Sequence, residues 1–371
     1  MEIVDYLKLM VQKEASDLFF SSGAKVNIKI EGRTMPVGDK TLAPMAVKQA
    51  AYKLISDEQV RIFEETLELN FAISVENVGR FRVNLYRQRG EVSMVVRYIK
   101  QRIPAIGELG LPPILEKLIM EPRGLILIVG GTGSGKSTSL ASMIDYRNER
   151  KTGHILTIEE PIEFLHAHKK SVVDQREVGI DTLSYSSALK NAMREAPDVI
   201  LIGEIRDRET MQHAIAYAET GHLCLSTLHA NNANQALDRI INFFPDSAHH
   251  QLFVDLSLNL RAVVSQRLAP GMDGKRVPAV EVMLKSPYIS ELIEKGDIDA
   301  LKEVMEKNVD QGMQTFDQSL YALSRAGKIS KESALDNADS RNNLLLKMRL
   351  SEGASMDDMA GDISFGPDNL L

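Results

Sequence analysis

Cysteine is almost absent from this chain of 371 residues, and a single one, Cys224, excludes an internal disulfide and any four-sulfur zinc site. It falls in the apolar stretch HLCLSTL, which suits a buried structural thiol. Long hydrophobic runs are missing as well, since no stretch approaches the roughly eighteen apolar residues of a membrane span. The opening residues, MEIVDYLKLM, lack the basic segment followed by an apolar one that marks an export signal, so the expected location is the cytoplasm. Nor is there an excess of positive charge. The formal net charge is −7, and between 351 and 371 the residues Glu352, Asp357, Asp358, Asp362 and Asp368 stand without any Lys or Arg. The rest of the chain is near neutral, which gives no sign of the basic footprint of a nucleic-acid-binding protein.

What is present is the composition of a soluble protein, 44% apolar and 26% charged, in a chain too long for one compact core. Two folded domains are expected. Ile3, Val4, Leu7, Met10 and Val11 have helical spacing, an extended segment opens at Asp17, and Val26, Ile28 and Ile30 alternate as in a strand. After the short extended run 34–37, a helix is expected from Pro44 through Ile55 and another after Ser56, a capping residue followed by Asp57 and Glu58. Three alternating runs, 69–76, 80–88 and 91–99, joined by ENVG and RG, predict an antiparallel meander. Residues 101–113 hold Pro104, Gly107, Gly110, Pro112 and Pro113, the punctuation of a linker. The expected organisation is therefore an N-terminal α/β domain over 1–100, a linker over 101–113, a second domain over 114–350 and a disordered acidic tail over 351–371.

The second domain opens on its most informative stretch. The apolar run Leu125 to Val129 has the character of a buried strand and breaks into Gly130, Gly131, Thr132, Gly133, Ser134, Gly135, Lys136, Ser137 and Thr138. This is GxxxxGK[ST], the loop that cradles phosphates at the start of a helix, where converging N–H groups and the helix dipole favour an anion. Lys136 would reach the β and γ phosphates of a nucleoside triphosphate, and the Ser137 hydroxyl would ligate Mg²⁺. Beyond the loop, extended runs at 155–158, 199–202 and 223–227 alternate with helical ones at 185–193, 208–218 and 234–242. That order predicts a mostly parallel sheet covered by helices, with its ligand at the carboxyl ends of the strands. Past 285 the pattern is helical.

A phosphate-loop enzyme needs a carboxylate near the metal and a group to activate water. In DVILIGEIRD the strand 199–202 delivers Glu204 to its carboxyl end, as a metal-side carboxylate would be. In TIEEPIEF, Glu163 is the candidate general base, supported by Glu159 and Glu160, and a solvated acidic turn is the competing reading. GHLCLSTLHAN puts His222 and His229 at opposite ends of one strand, too far apart to share a metal, with His229 at the end where a γ-phosphate would lie and a purely structural histidine as the alternative.

GGTGSGKST, TIEEPIEF, DVILIGEIRD and AETGHLCLSTLHANNANQALDRIINFFP resemble, in that order, the Walker A, Asp box, atypical Walker B and His box of the type II/IV secretion and pilus ATPases. EASDLFFSSG and GRFRVNLYRQRG resemble the N-terminal domain of the PilT/PilU branch, the pilus-retraction motors, so the likeness spans nearly the whole chain. The resemblance implies a PAS-like α/β domain followed by a RecA-like ATPase domain with a helical C-terminal region. It implies ATP and Mg²⁺ as cofactors, functional roles for Glu163, Glu204 and His229, and a homo-hexameric ring in which Arg82 and Arg97 of the N-terminal domain complete the nucleotide site. It further implies twitching motility as the process served, an inner-membrane pilus platform protein and a PilT-like retraction ATPase as partners, and a position peripheral to the inner membrane through those partners. Glu160 stands where the retraction motors usually have Asp, and Gly131 where they have Pro. PYISELIEKG occupies the place of their AIRNLI motif, which draws the chain toward the accessory, PilU-like side of the branch. A pilus-extension or type II secretion ATPase and an ATP-binding ring subunit with little turnover are the alternatives. The tetracysteine zinc module of the extension enzymes has no counterpart here.

Overall fold

The computed structural model describes residues 2–30, 32–99 and 102–351, so the expected tail lies, but for Ser351, outside the described residues. The strands among them are β1 (Asp17–Phe20), β2 (Lys25–Ile30), β3 (Arg33–Thr41), β4 (Glu68–Val75), β5 (Gly79–Gln88), β6 (Glu91–Ile99) and β7 (Gly124–Val129). They continue with β8 (Gly153–Glu159), β9 (Ser171–Glu177), β10 (Val199–Ile202), β11 (Leu223–Leu228), β12 (Leu260–Pro270) and β13 (Arg276–Leu284). The contacts divide the chain into two units. One joins the described residues up to Pro104 with Asn148–Gly203, and the other joins Ala105–Arg147 with the described residues from Glu204 on.

In the first unit, strands β1 to β6 form an antiparallel sheet in the order β3-β2-β1-β6-β5-β4. Its register follows from alternation. Phe81, Val83 and Leu85 of β5 face the core with Leu18, Phe20, Val26, Ile28, Met94 and Val96, while Arg80, Arg82 and Asn84 fall on the opposite face. The helix Ile3–Gln12 buries Ile3, Leu7 and Met10, one stripe at intervals of four and three. The helix Asp57–Thr66 begins as its sequence predicts, with a reciprocal capping box between Ser56 and Gln59, and lodges Phe63 in the same core. The expected helix from Pro44 is shorter than its pattern, spanning only Ala46–Ala51, and the run 34–37 extends into the nine-residue, largely exposed edge strand β3, where Pro36 is tolerated. The same unit carries a parallel group, β10-β8-β9, whose central residues Ile155, Leu156, Thr157 and Ile158 are all buried.

In the second unit the strand order is β13-β12-β7-β11, with β7 parallel to both β11 and β12 and with β13 antiparallel to β12. β7 and β11 are buried along their whole length, as central strands of a covered sheet must be. The helix Lys136–Arg150 follows the phosphate loop, and the helices Arg208–Glu219 and Ala233–Ile241 start on Asp207 and Asn232, each accepting a capping hydrogen bond in its first turn. The C-terminal region is helical as expected, from Pro287–Lys295 to Arg341–Ser351. Its second core, around Phe316, Leu320 and Leu344, is closed by Arg267, whose guanidinium lies 3.9 Å from the Phe316 ring centre and 2.6 Å from Asp339.

Candidate functional site

The loop Gly130–Lys136 joins the carboxyl end of β7 to its helix, and β12 decides why it needs its glycines. Gly130 has φ +155° and Gly135 φ +94°, and a Cβ on Gly130 would stand 2.5 Å from the Gln266 carbonyl, one on Gly135 2.8 Å from the Gln266 side-chain nitrogen. Gln266, buried in β12, also accepts the Ser139 hydroxyl at 2.7 Å, so the loop is braced against that strand at both ends. Gly131 and Gly133, by contrast, face open space. The Ser134 hydroxyl is buried without a hydrogen-bond partner among the described residues. An open cradle of backbone donors with an unsatisfied hydroxyl beside it fits a phosphate group.

Two cations of this unit reach the loop. The Lys136 ammonium donates to the carbonyls of Gly130 and Gly131 at 2.8 and 2.9 Å, and Arg276 of β13 donates to the Gly133 carbonyl at 3.4 Å. Arg276 went unnoticed in the sequence because it lies in a hairpin that the pattern did not predict. Ile205 N–H donates to the Thr227 carbonyl, and Gly130 N–H to the Leu228 carbonyl, so Glu204 and the loop flank the end of β11 from which His229 emerges. His229 Nε2 is 3.2 Å from Glu204 Oε1, and the other Glu204 oxygen accepts from Arg206 at 2.8 Å. Burial, with the nearby Lys136 charge, holds the His229 imidazole below its usual 6.5 against the opposing pull of Glu204, so it is neutral at neutral pH. A cavity of about 410 Å³, lined by Gly131, His229, Asn231, Gln235 and Arg239 among others, opens beside the loop. His222 lies at the opposite end of β11, bonded to Thr220 and the Tyr217 carbonyl, a structural position. Cys224 is buried, and its burial pushes the thiol far up, as an inert core residue requires.

Glu163, Arg82 and Arg97 belong to the first unit. Glu163 is exposed because its neighbours Ile162 and Phe164 are buried, which turns the carboxylate between them outward. Glu159, at the end of β8, accepts from the Thr157 hydroxyl at 2.7 Å and the Gln175 amide at 3.2 Å. Desolvation, aided by the neighbouring Glu163 charge, pushes it up to about 7. Glu160 is exposed. Arg82 and Arg97 are direct cross-strand partners on β5 and β6, with Arg80 on the same face. Like charges set opposite each other repel, and each arginine has its own carboxylate: Asp17 at 2.8 Å for Arg97, Glu177 at 3.9 Å for Arg82.

A model of the family described as "Type II/IV secretion system protein" matches residues 2–314. The chain belongs to this family. Within it, the chain is 52% identical to the type IV pilus ATPase PilU of Pseudomonas aeruginosa, over 97% of this chain and 94% of that protein. It is 41% identical to the type IV pilus retraction ATPase PilT of the same organism, over 91% and 98% of the two chains. The crystal structure of the pilus retraction motor PilT with bound ADP superposes with a TM-score of 0.87 at 40% identity, covering 93% of this chain and 99% of that one. The family membership expected from the four motifs holds, as does the α/β class.

Proposed function

We propose that this chain is an ATP-hydrolysing motor of type IV pilus retraction, working in twitching motility as a homo-hexamer alongside a PilT-like retraction ATPase. The observation that carries the reading is the phosphate cradle at the end of β7, with Lys136 on one side and the Glu204–His229 pair on the other. The 52% identity to PilU over 97% of the chain supports the assignment to pilus retraction. In this reading the loop N–H groups and Lys136 bind the triphosphate. Mg²⁺, when bound, neutralises phosphate charge, and Ser137 and Glu204 would hold it. Glu163 accepts a proton from the attacking water as its oxygen bonds to the γ-phosphorus. The bond from that phosphorus to the bridging oxygen breaks, leaving ADP and phosphate. His229, neutral and anchored on Glu204, senses the γ-phosphate end. Arg82 and Arg97 stabilise the charge that spreads over the transferring group, as arginine fingers do.

The linker over 101–113 then carries relative movement of the N-terminal and ATPase domains, and that movement drives an inner-membrane platform protein during pilus disassembly. Among the described residues no helix is long and apolar enough to cross a membrane, so attachment to the inner membrane would come through such partners, with the ring on the cytoplasmic side. Pilus retraction in cells lacking this protein, its PilT-like relative, or both, restored with wild type or with Lys136→Ala, tests the motor reading. Wild type is expected to restore the retraction lost on deletion and Lys136→Ala to restore none. Full retraction with Lys136→Ala would favour a ring subunit that acts without turnover.

A further inference from the structure

Glu177 is a buried charge that the phosphate loop and the expected catalytic set leave unexplained. It ends β9, only 1% exposed, and its backbone is tied on both sides: its N–H donates to Asp181 Oδ2 at 2.9 Å, and its carbonyl accepts from Ile180, Asp181 and Thr182 at 3.2, 2.8 and 3.3 Å. The parallel register sets it beside Glu159 of β8, and Val178 N–H donates to the Glu159 carbonyl at 2.9 Å. One side-chain oxygen, Oε2, accepts the Ile162 N–H at 3.2 Å, and Ile162 immediately precedes Glu163. The other, Oε1, is sealed from solvent, takes no hydrogen bond, and stands 3.9 Å from Arg82 Nε. A buried carboxylate persists only where charge and hydrogen bonds compensate it. Here the ion pair with Arg82 and the hydrogen bond from Ile162 are what compensate the side chain among the described residues.

The contact engages Arg82 through its Nε edge. Its two Nη groups make no hydrogen bond or ion pair among the described residues, and the side chain is 26% exposed against 64% for Arg97. We propose that Glu177 is a positioning residue for ATP hydrolysis: from one fixed point its charge attracts the Nε edge of Arg82 and its other oxygen holds the backbone that carries Glu163, aiming the Nη fork and the base together. The Arg82 arm of this contact is an ion pair at 3.9 Å without a hydrogen bond, and the backbone arm is the Ile162 N–H bond at 3.2 Å. The inference rests on the reading of Arg82 and Glu163 given above.

The two can be tested apart by measuring kcat, KM for ATP and melting temperature of the full chain carrying Glu177→Gln, Arg82→Ala, both, or Arg82→Lys. Glu177→Gln keeps an acceptor for the Ile162 N–H and loses the charge that holds Arg82, so kcat is expected to fall about tenfold with little change in KM. The double variant is expected to be no slower than Arg82→Ala alone, and to melt higher than it, because the buried charge left without its partner is gone. Arg82→Lys, which keeps a pairing charge without the fork, is expected to melt near wild type and turn over as slowly as Arg82→Ala. Wild-type kcat in Glu177→Gln beside a slow Arg82→Ala would overturn the positioning role and leave the arginine reading intact, and so would independent, multiplying losses in the double variant. Wild-type kcat in Arg82→Ala would instead overturn the reading of Arg82 itself. Should Glu177→Gln not fold, Arg82→Lys decides: wild-type turnover there contradicts an aimed Nη fork.

Discussion

Glu281, one of the most deeply buried carboxylates of the second unit, makes stability depend on pH. It accepts the Ala233 N–H at 2.8 Å and the Ser265 hydroxyl at 3.0 Å, and so ties β12 and β13 to the helix that begins just after His229. Burial, with a smaller push from Asp339 and an opposing pull from Arg267, raises it from 4.5 to about 7. Between those two values the folded chain holds a proton that the unfolded chain releases, so stability falls as pH rises through this window, by on the order of 3 kcal/mol. Glu281→Gln removes the titration and keeps both hydrogen bonds. Melting from pH 5 to pH 8 is expected to drop several degrees more in wild type than in the variant, and parallel curves would contradict the assignment. Glu204→Ala is expected to separate from Glu163→Ala: the first should alter the Mg²⁺ dependence of turnover, the second should leave ATP bound and unhydrolysed, and equal losses of nucleotide affinity in both would refute that division. At this scale the sequence placed its candidates by motif: Lys136 opens the helix after the loop, and Glu204 and His229 follow the ends of β10 and β11. It was silent on Glu177, Gln266 and Arg276, whose importance lies in what folding sets against them, a contact that no local spacing encodes.

The hairpin β12–β13, one of the elements that escaped prediction, is the one that shapes the phosphate loop. Its first strand begins at Leu260, directly where the helix Asp246–Asn259 ends, with no Gly, Pro or capping residue between them, so the change of period carries no punctuation. β9 was missed for a related reason: SVVDQRE alternates over polar residues and follows a stretch without regular structure. β5, β6, β7 and the helix from Asp57 were plain because alternation, a branched apolar run and a capping box each belong to one element alone. If the Gln266 side chain braces the loop, Gln266→Ala leaves the buried Ser139 hydroxyl unpaired and frees the Gly135 contact, while the Gln266 carbonyl stays against Gly130. The expected result is a stability loss of about 1–3 kcal/mol and a raised KM for ATP, read by calorimetry and steady-state kinetics. Unchanged KM would mean that the loop holds its shape without the Gln266 side chain.

For the whole molecule, the sequence predicted domains as consecutive stretches, divided at a linker over 101–113, whereas contacts group Asn148–Gly203 with the N-terminal residues. Contacts of this kind join segments far apart in the chain, and composition cannot register them. The proposed ring adds a further level. If Arg82 acts across a subunit boundary, mixing Arg82→Ala protein with Lys136→Ala protein is expected to recover some turnover, because certain junctions then hold two intact halves. A mixture as inactive as either parent, in rings that have exchanged subunits, would count against a shared site. Beneath all of this lies the claim that the loop at the end of β7 is where ATP is hydrolysed, and phosphate release by purified protein with ATP and Mg²⁺ tests it most directly. Wild type is expected to turn over steadily, Arg82→Ala to bind ATP yet release phosphate far more slowly, and Lys136→Ala to release none above background. Phosphate release by Lys136→Ala at the wild-type rate would contradict the account.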